Sequence, residues 1–565
     1  MKHSIYYQSN LKDSQTGKKI YSQINEEFNN GPELNSALLF QILHDNKDTE
    51  YGKKYGFADI TSIEEYQKQV PVIMYDDIAD EIKRMCNGEQ NVLTVYPCRH
   101  MNVTSGTIGK QKKIPMTQKQ NEVFVKYNKM YLDGLKSELL DSSWMEGRAF
   151  CTAEGTHSVL PSGITVGSAS SVMADFIRGG KETLGAMMEK LFSSPIEATI
   201  PESGTDTKYI HARFALMDKG LTGIISAFYS LVVVYFKYID ANYKMLIDDI
   251  EKGTICDKSG LQDSVKESLM KKIKPMPERA AELREIFKNG PELCWVPLVW
   301  PNMQYITGVG GNSFAIYDKI IKTKYTGGCL KNIYSGVTAS EGLWSIPSGI
   351  DTEDGIIAPQ SAFFEFLPIE AENDMSKIVT MDSVEIGKVY ELIVTNLCGF
   401  YRYRTNDAII VTGFRGKTPL IRFMYRVNRT LNMMGEKTTE IALESAVEGA
   451  MDELGVDMTD FSVYTNYDEM AYDFLIEPAN QNVKVSTDEL SECIYKHMCT
   501  VNEVFGILID MQKLSKPIAH WLKPHSSILY RDMMRNKGVS ANQIKPVHVI
   551  MNELQHNFFY NLIMA

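Results

Sequence analysis

"GFYRYRTNDAIIVTGF", residues 399–414, sets an aromatic and basic run against an apolar one, with Asn406 and Asp407 between them. Aromatic and β-branched residues favour strands, so an Asn-Asp pair flanked by two such runs predicts a strand-to-strand turn. A carboxylate at Asp407 can accept hydrogen bonds from two neighbouring hydroxyls, such as those of a ribose. An ordinary Asn-Asp turn is the plain structural alternative. The same short β-rich texture, punctuated by Gly and Pro, runs through 343–369 and 387–414.

On either side the texture is helical. "NSALLFQILHDNKDTEYGKKYGF" (35–57) and "SIEEYQKQVPVIMYDDIADEIKRM" (62–85) carry apolar faces at helical spacing, and 181–288 reads as mostly helical. From Thr438 the pattern becomes helix, strands and helix, with 486–509 read as a single helical stretch. The fold class expected is therefore mixed α/β: a large N-terminal domain of sheets and helices (1–427), a hinge (428–437) and a small α+β domain (438–565). A chain of 565 residues is too long for one hydrophobic core, which agrees with such a division.

The composition, 44% hydrophobic and 23% charged, is that of a globular soluble chain. The net charge of −12 speaks against a general nucleic-acid binder. "IISAFYSLVVVYF" (224–236) is too short to span a bilayer and predicts a buried helix. The N-terminus carries no targeting pattern, and the nine scattered cysteines contain no CxxC pair. Free thiols in a reducing cytoplasm are the expectation.

In this acidic chain "NVTSGTIGKQKKIPMT" (102–117) gathers lysines, glycines and hydroxyls. A Walker A loop fails here, because only two residues separate Gly106 from Gly109 and Gln111 follows Lys110. The order Thr-Ser-Gly-Thr-x-Gly-Lys-x-Lys suits another kind of phosphate loop, in which backbone N–H groups and small hydroxyls hold the anion. A hairpin turn with solvated lysines is the alternative. In "VTASEGLWS" (337–345), Ser340 offers a hydroxyl to a phosphate and Glu341 a carboxylate to Mg2+; a helix N-cap at Ser340 is the competing reading. "KGVSANQIKPVHV" (537–549) is a Gly/Ser loop running up to Lys545.

Taken in order, these motifs resemble the Gretchen Hagen, auxin-responsive family of acyl-acid amido synthetases, within the adenylate-forming superfamily that includes firefly luciferase. "TSGTIGKQKKIP" is similar to the family's SSGTSxGxxKxxP, one residue shorter. "VTASE" with "FFEFLP" (363–368) resembles YxxSE with YFEFxP, though Val337 stands where the family usually has Tyr. "YRYRTNDAIIVTGF" resembles YRYRxGDxxxVTGF, and "YRVNRTLNMMGEKTTE" and "GVSANQIKPVH" resemble the hinge and tail patterns. The tail departs in having Pro-Val-His after Lys545.

The resemblance implies an ATP- and Mg2+-dependent ligase that activates a small carboxylic acid as its adenylate and passes the acyl group to an amine, amino acids being the expected acceptors. It implies that Ser105, Gly106 and Thr107 cradle the β- and γ-phosphates and that Ser340 and Glu341 hold the α-phosphate and Mg2+. It implies Asp407 on the ribose, and Lys437 and Lys545 as catalytic cations brought in by the small domain. Two competing readings are a ligase that passes the adenylate to coenzyme A and a nucleotide binder without turnover. No nucleic-acid or membrane partner is implied. Tyr209, His211 or Arg213 could serve the acyl carboxylate or be plain core residues, and "TGVGGNSFAIY" (307–317) could wall the acyl pocket or serve helix packing.

Overall fold

The chain is described by a computed structural model covering residues 14–103, 112–152, 154, 157–167, 189–201, 205–256, 259–292, 294–311, 314–371, 373–427, 431–434, 436–539 and 544–564. Ser105, Gly106 and Thr107 lie outside the described residues, as does part of the expected hinge.

The β-rich third forms a seven-stranded antiparallel sheet. Its spatial order is Ser345–Pro347, Gly355–Ile357, Thr418–Arg426, Tyr403–Arg415, Val389–Asn396, Ala362–Pro368 and Val379–Thr380. Antiparallel sheets commonly leave one face to water. Here residues 362–367 are buried on both faces: Tyr66 of the N-terminal helices meets Phe363 edge-on, and Trp344 meets Phe364 on the opposite face. The run "AFFEFL" is continuous rather than alternating for that reason, and its one acid, Glu365, must find a buried partner.

A second sheet is wholly parallel, in the order Ala149–Cys151, Gly223–Phe228, Tyr305–Val309, Lys331–Tyr334. The apolar stretch 224–236, expected as one helix, instead finishes a strand at Phe228 and opens the helix Tyr229–Lys252. Its mostly apolar residues run on from strand into helix, so the sequence has no periodicity to separate the two states. That helix stops at Gly253, whose φ of +65° is the left-handed conformation of a helix C-cap. A third sheet takes Lys113–Thr117, Cys98–Val103, Thr165–Gly167 and His157–Val159.

The C-terminal elements pack a helix, Glu440–Leu454, with Thr487–Val501 on a sheet of Met458–Asn466, Ala471–Pro478 and Ile518–Trp521. Their own core includes Leu443, Val447, Phe461, Phe474, Ile494 and Trp521. The single helical stretch expected over 486–509 is broken at Asn502, whose side-chain oxygen accepts from the Phe505 N–H and caps a new helix, Glu503–Asp510.

One buried carboxyl in this region gives a pH signature. Burial pushes Glu444 up to about 8, against His548, with Glu448, Glu440 and Asp460 adding to the rise. The unfolded chain releases this proton near 4.5, so between 4.5 and about 8 the folded state holds one proton more and stability falls as pH rises. His548 acts in the same direction: burial lowers its proton affinity, but Asp460 at 3.4 Å more than offsets this, and that stability is lost as pH rises through its folded value. Glu444→Gln is expected to match the parent below pH 4.5 and to exceed its stability above pH 8 by a few kcal/mol, at ~1.4 kcal/mol for each pH unit separating the folded and unfolded values. Urea unfolding at the two ends of that window measures it.

Candidate active site

The strand Lys331–Tyr334 ends the parallel sheet, and Ser345–Pro347 begins the antiparallel one. Between them the chain makes a two-residue hairpin, Thr338–Ala339 paired with Gly342–Leu343, and Ser340 and Glu341 are its tip. Ser340 is therefore a hairpin residue and not a helix N-cap. Two asparagines from different sheets hold this tip through its backbone. Asn102 Nδ2 donates to the Ser340 carbonyl at 2.8 Å, and Asn396 Nδ2 donates to the Glu341 carbonyl at 2.9 Å. Asn102 is the last-but-one residue of its strand, Cys98–Val103, and belongs to the 102–117 motif, so the first two sequence motifs meet at this contact.

Asp407 comes from the opening stretch, but not from a turn. It lies within the thirteen-residue strand Tyr403–Arg415, at a bulge where the pairing with Val389–Asn396 slips. Asn406 takes φ +61° there, a conformation Asn tolerates better than most residues, and the Asp407 N–H donates to Thr405 Oγ1 at 3.1 Å. A bulge re-aims one side chain without ending the strand. Directly across the ladder stands Arg426, with Nε 2.8 Å from Asp407 Oδ1. The ion pair is too bent for a hydrogen bond, and among the described residues Asp407 Oδ1 accepts none. The oxygen is held by charge and, among the described residues, not by a hydrogen bond.

The run Tyr401–Arg404 divides its labour. Tyr401 is stacked on Tyr51 and donates to the Leu93 carbonyl, while Arg402 is buried against Glu365 and Arg404 pairs with Glu391. Only Tyr403 turns toward the hairpin tip, donating to Glu341 Oε1 at 3.2 Å. Burial raises the Glu341 carboxyl above the usual range; Arg426 opposes this and Asp407 adds to it. Arg426 is held more firmly cationic by Asp407 first, then by Glu341. The result is two carboxylates and one guanidinium around a partly exposed tip. Tyr403→Phe removes one hydrogen bond from Glu341, worth ~1 kcal/mol. The expected consequence is a loss of stability of that size in urea unfolding, with the fold unchanged.

Lys437 is exposed, with φ +44° and its N–H on Asn432 Oδ1 at 3.3 Å. Lys545 places its ammonium 5.6 Å over the Phe228 ring, at a cleft shared by Ser230, Tyr317, Asp460 and Arg531. One C-terminal helix, Ser526–Asn536, docks on the N-terminal part: Arg531 lies 3.4 Å from Ser230 Oγ, Asp532 takes Lys208 at 2.9 Å, and Arg535 reaches the buried Glu154 at 3.4 Å. Tyr209 and Arg213 are core residues, tied to one another and to Asp249. His211 is buried against Ser194 at 2.7 Å, and burial drives its proton affinity down to about 3. The 307–317 glycines serve packing: a side chain on Gly308 would strike the Ser226 carbonyl and one on Gly310 the rings of Tyr229 and Tyr334.

Sequence reading named Ser340, Glu341 and Asp407 but missed Tyr403, Arg426, Asn102 and Asn396. Arg426 carried a signal, in the basic segment "YRVNR". Asn396 carried none, since one buried Asn at a strand end resembles any other.

These sheets, their order and the hairpin at their junction are the fold of an acyl-acid amido synthetase. The chain superposes on the GH3.15 acyl acid amido synthetase with a TM-score of 0.84 over 96% of both chains, at 22% identity. The GH3 family N-terminal domain matches residues 20–331 and the GH3 family central domain residues 355–426. The chain belongs to the GH3 family, the Gretchen Hagen family that its motifs resemble. The indole-3-acetic acid-amido synthetase GH3.4 of Arabidopsis thaliana is 26% identical, across 94% of this chain and 91% of its own. GH3.3 of the same plant, also an indole-3-acetic acid-amido synthetase, is 28% identical across 77% of this chain and 74% of its own. The jasmonoyl–L-amino acid synthetase GH3.5 of Oryza sativa subsp. japonica is 28% identical across 77% of each. These relatives are ligases that form carbon–nitrogen bonds between acyl acids and amino acids.

Proposed function

We propose that this chain is an ATP-dependent acyl-acid amido synthetase. A small carboxylic acid attacks the α-phosphate of ATP to give an acyl-adenylate and pyrophosphate, and an amino acid then takes the acyl group and releases AMP. The observation that carries the reading is the convergence at the hairpin tip: Asn102, Ser340–Glu341, Tyr403, Asp407 and Arg426 come from three sheets and four sequence segments.

Attack of a carboxylate on a triphosphate brings like charges together, so positioning and charge neutralisation do most of the work. Asp407, with one oxygen that accepts no hydrogen bond among the described residues, would accept the ribose hydroxyls. The Ser340 hydroxyl would meet the α-phosphate and Glu341 would hold Mg2+, which supplies charge neutralisation when bound. Glu341 suits that ion: it is a carboxylate at a partly exposed tip, with one oxygen steadied by Tyr403. Arg426 keeps the two acids from repelling one another. We assign Ser105, Gly106 and Thr107 to the β- and γ-phosphates and Lys437 and Lys545 to catalysis as an extension of the same reading.

We also propose the division into 1–427, a hinge at 428–437 and a mobile 438–565. It is supported by the separate core of the C-terminal elements and by their polar docking through Arg531, Asp532 and Arg535, since polar interfaces part more readily than apolar ones. Cytoplasmic residence belongs to the proposal too, resting on nine free thiols. Among the described residues no helix is long and apolar enough to cross a membrane.

The test is ATP–pyrophosphate exchange over pooled aromatic and aliphatic carboxylic acids, followed by acceptor trials with amino acids and coenzyme A. Acid-dependent exchange and an amide product are expected. A product formed only with the thiol would replace the reading by a thioester ligase; tight Mg·ATP binding without exchange by any acid would replace it by a nucleotide binder.

A further inference from the structure

The helices Glu440–Leu454 and Thr487–Val501 pack side by side in the C-terminal region. Cys493 and His497 stand four residues apart on the second, so they share one face. That face meets the last turn of the first helix at Glu453, with His497 Nε2 2.9 Å from Glu453 Oε2. One ligand atom from each of Glu453, Cys493 and His497 lies within 4.8 Å of the other two. None of the three has a part in the adenylation site.

A second observation concerns Gly449, in the interior of the first helix, where glycine costs up to about 1 kcal/mol relative to alanine. A Cβ at this position would sit 2.4 Å from His497 Nδ1. The glycine therefore makes room for the imidazole to lie against the backbone of the neighbouring helix, where its Nε2 faces Glu453.

We infer that Glu453, Cys493 and His497 form a site for a borderline divalent cation of the zinc class, with an open fourth position. Thiolate, imidazole and carboxylate are the three donor types zinc takes, at bond lengths of about 2.0–2.3 Å. Tetrahedral bonds of that length place neighbouring donors roughly 3.3–3.8 Å apart, so the cluster closes onto the ion by about an ångström, within the reach of side-chain rotation. Glu453 is exposed, which leaves the fourth direction to water. The thiolate disfavours Mg2+, so millimolar magnesium does not compete.

Two groups oppose the ion. Lys496 Nζ holds Glu453 at 2.7 Å and 2.9 Å, contacting both carboxylate oxygens, and must yield one of them. The Cys493 thiol is held above its ordinary value by burial, with Glu453 adding to the rise and Lys496 opposing it. Binding expels that proton, S–H giving S–metal and a released H+, so affinity climbs with pH. The bound ion ties the two helices together and raises the stability of the C-terminal region.

The probe is Co2+, then Zn2+, added to the full chain. One equivalent of Co2+ is expected to develop a thiolate-to-metal charge-transfer band that Zn2+ erases. Cys493→Ser should abolish the band, while Cys329→Ser leaves it. His497→Gln, at a half-buried position that tolerates the change, should weaken Zn2+ at least tenfold, and Lys496→Ala should tighten it. ATP–pyrophosphate exchange is expected to stay at the parent level in all four variants. The inference is overturned by the absence of a thiolate band in the parent, or by its survival in Cys493→Ser.

Discussion

Asp407→Ala should reduce acid-dependent ATP–pyrophosphate exchange by at least about 100-fold, or ~3 kcal/mol of transition-state stabilisation. Asp407 is buried to 3% exposure, and it is the residue paired with Arg426 across the ladder. Removing it deletes the acceptor proposed for the ribose, where hydrogen bonds to a charged group are worth about 1.5–3 kcal/mol each. It also frees Arg426, whose charge then pairs with Glu341 and weakens the hold on Mg2+ proposed for that carboxylate. Both effects act on nucleotide binding, so the loss should appear as a raised KM for ATP as well as a reduced rate. Asp407→Asn keeps one oxygen and should fall between parent and Ala. An Ala variant within threefold of the parent, at unchanged KM, would remove Asp407 from the nucleotide site.

Glu365→Ala should destabilise the protein by about 3–5 kcal/mol, the range for stripping one partner from a buried ion pair. Arg402 is 4% exposed and Glu365 wholly buried, joined by contacts of 3.0–3.1 Å. The guanidinium also donates to the Gln67 and Val70 carbonyls, and Gln67 donates to Glu365. Without the carboxylate a buried cation remains, with only carbonyl oxygens to offset its desolvation. The pair also has a functional consequence, because Arg402 sits at φ +49° and fixes the direction in which Tyr403 leaves toward Glu341. The double variant Glu365→Leu with Arg402→Met should recover much of the stability, since apolar groups of similar size often replace such pairs at little cost. Recovered stability with impaired exchange would separate the two roles. Urea unfolding and exchange, run on the same samples, make the comparison.

How far the residues alone were readable varies with how local the signal is. The N-terminal helices, with their stops at Asn46 and Gly56, and the β-rich middle follow from periodicity and turn chemistry. The stretch 224–236 did not, because its mostly apolar run continues from strand into helix, although burial alternates within the strand itself. Asn502 was readable as a cap but sits inside an apolar pattern that continues past it. Asp407 was singled out from the sequence but placed in a turn, since a bulge and a turn use the same Asn-Asp chemistry.

The site shows the same division. The order of the short motifs, through their resemblance to the family, pointed to a nucleotide-using ligase and to Ser340, Glu341 and Asp407, because those motifs lie within short runs of chain. Which of Tyr401, Arg402, Tyr403 and Arg404 faces the site, which base holds Asp407, and which asparagines fix the hairpin were decided only by the tertiary structure. These depend on register and on sheets brought together from positions more than two hundred residues apart, as Asn102 and Ser340 are. Contacts of that range arise from packing the whole core, and no local pattern of side chains carries them.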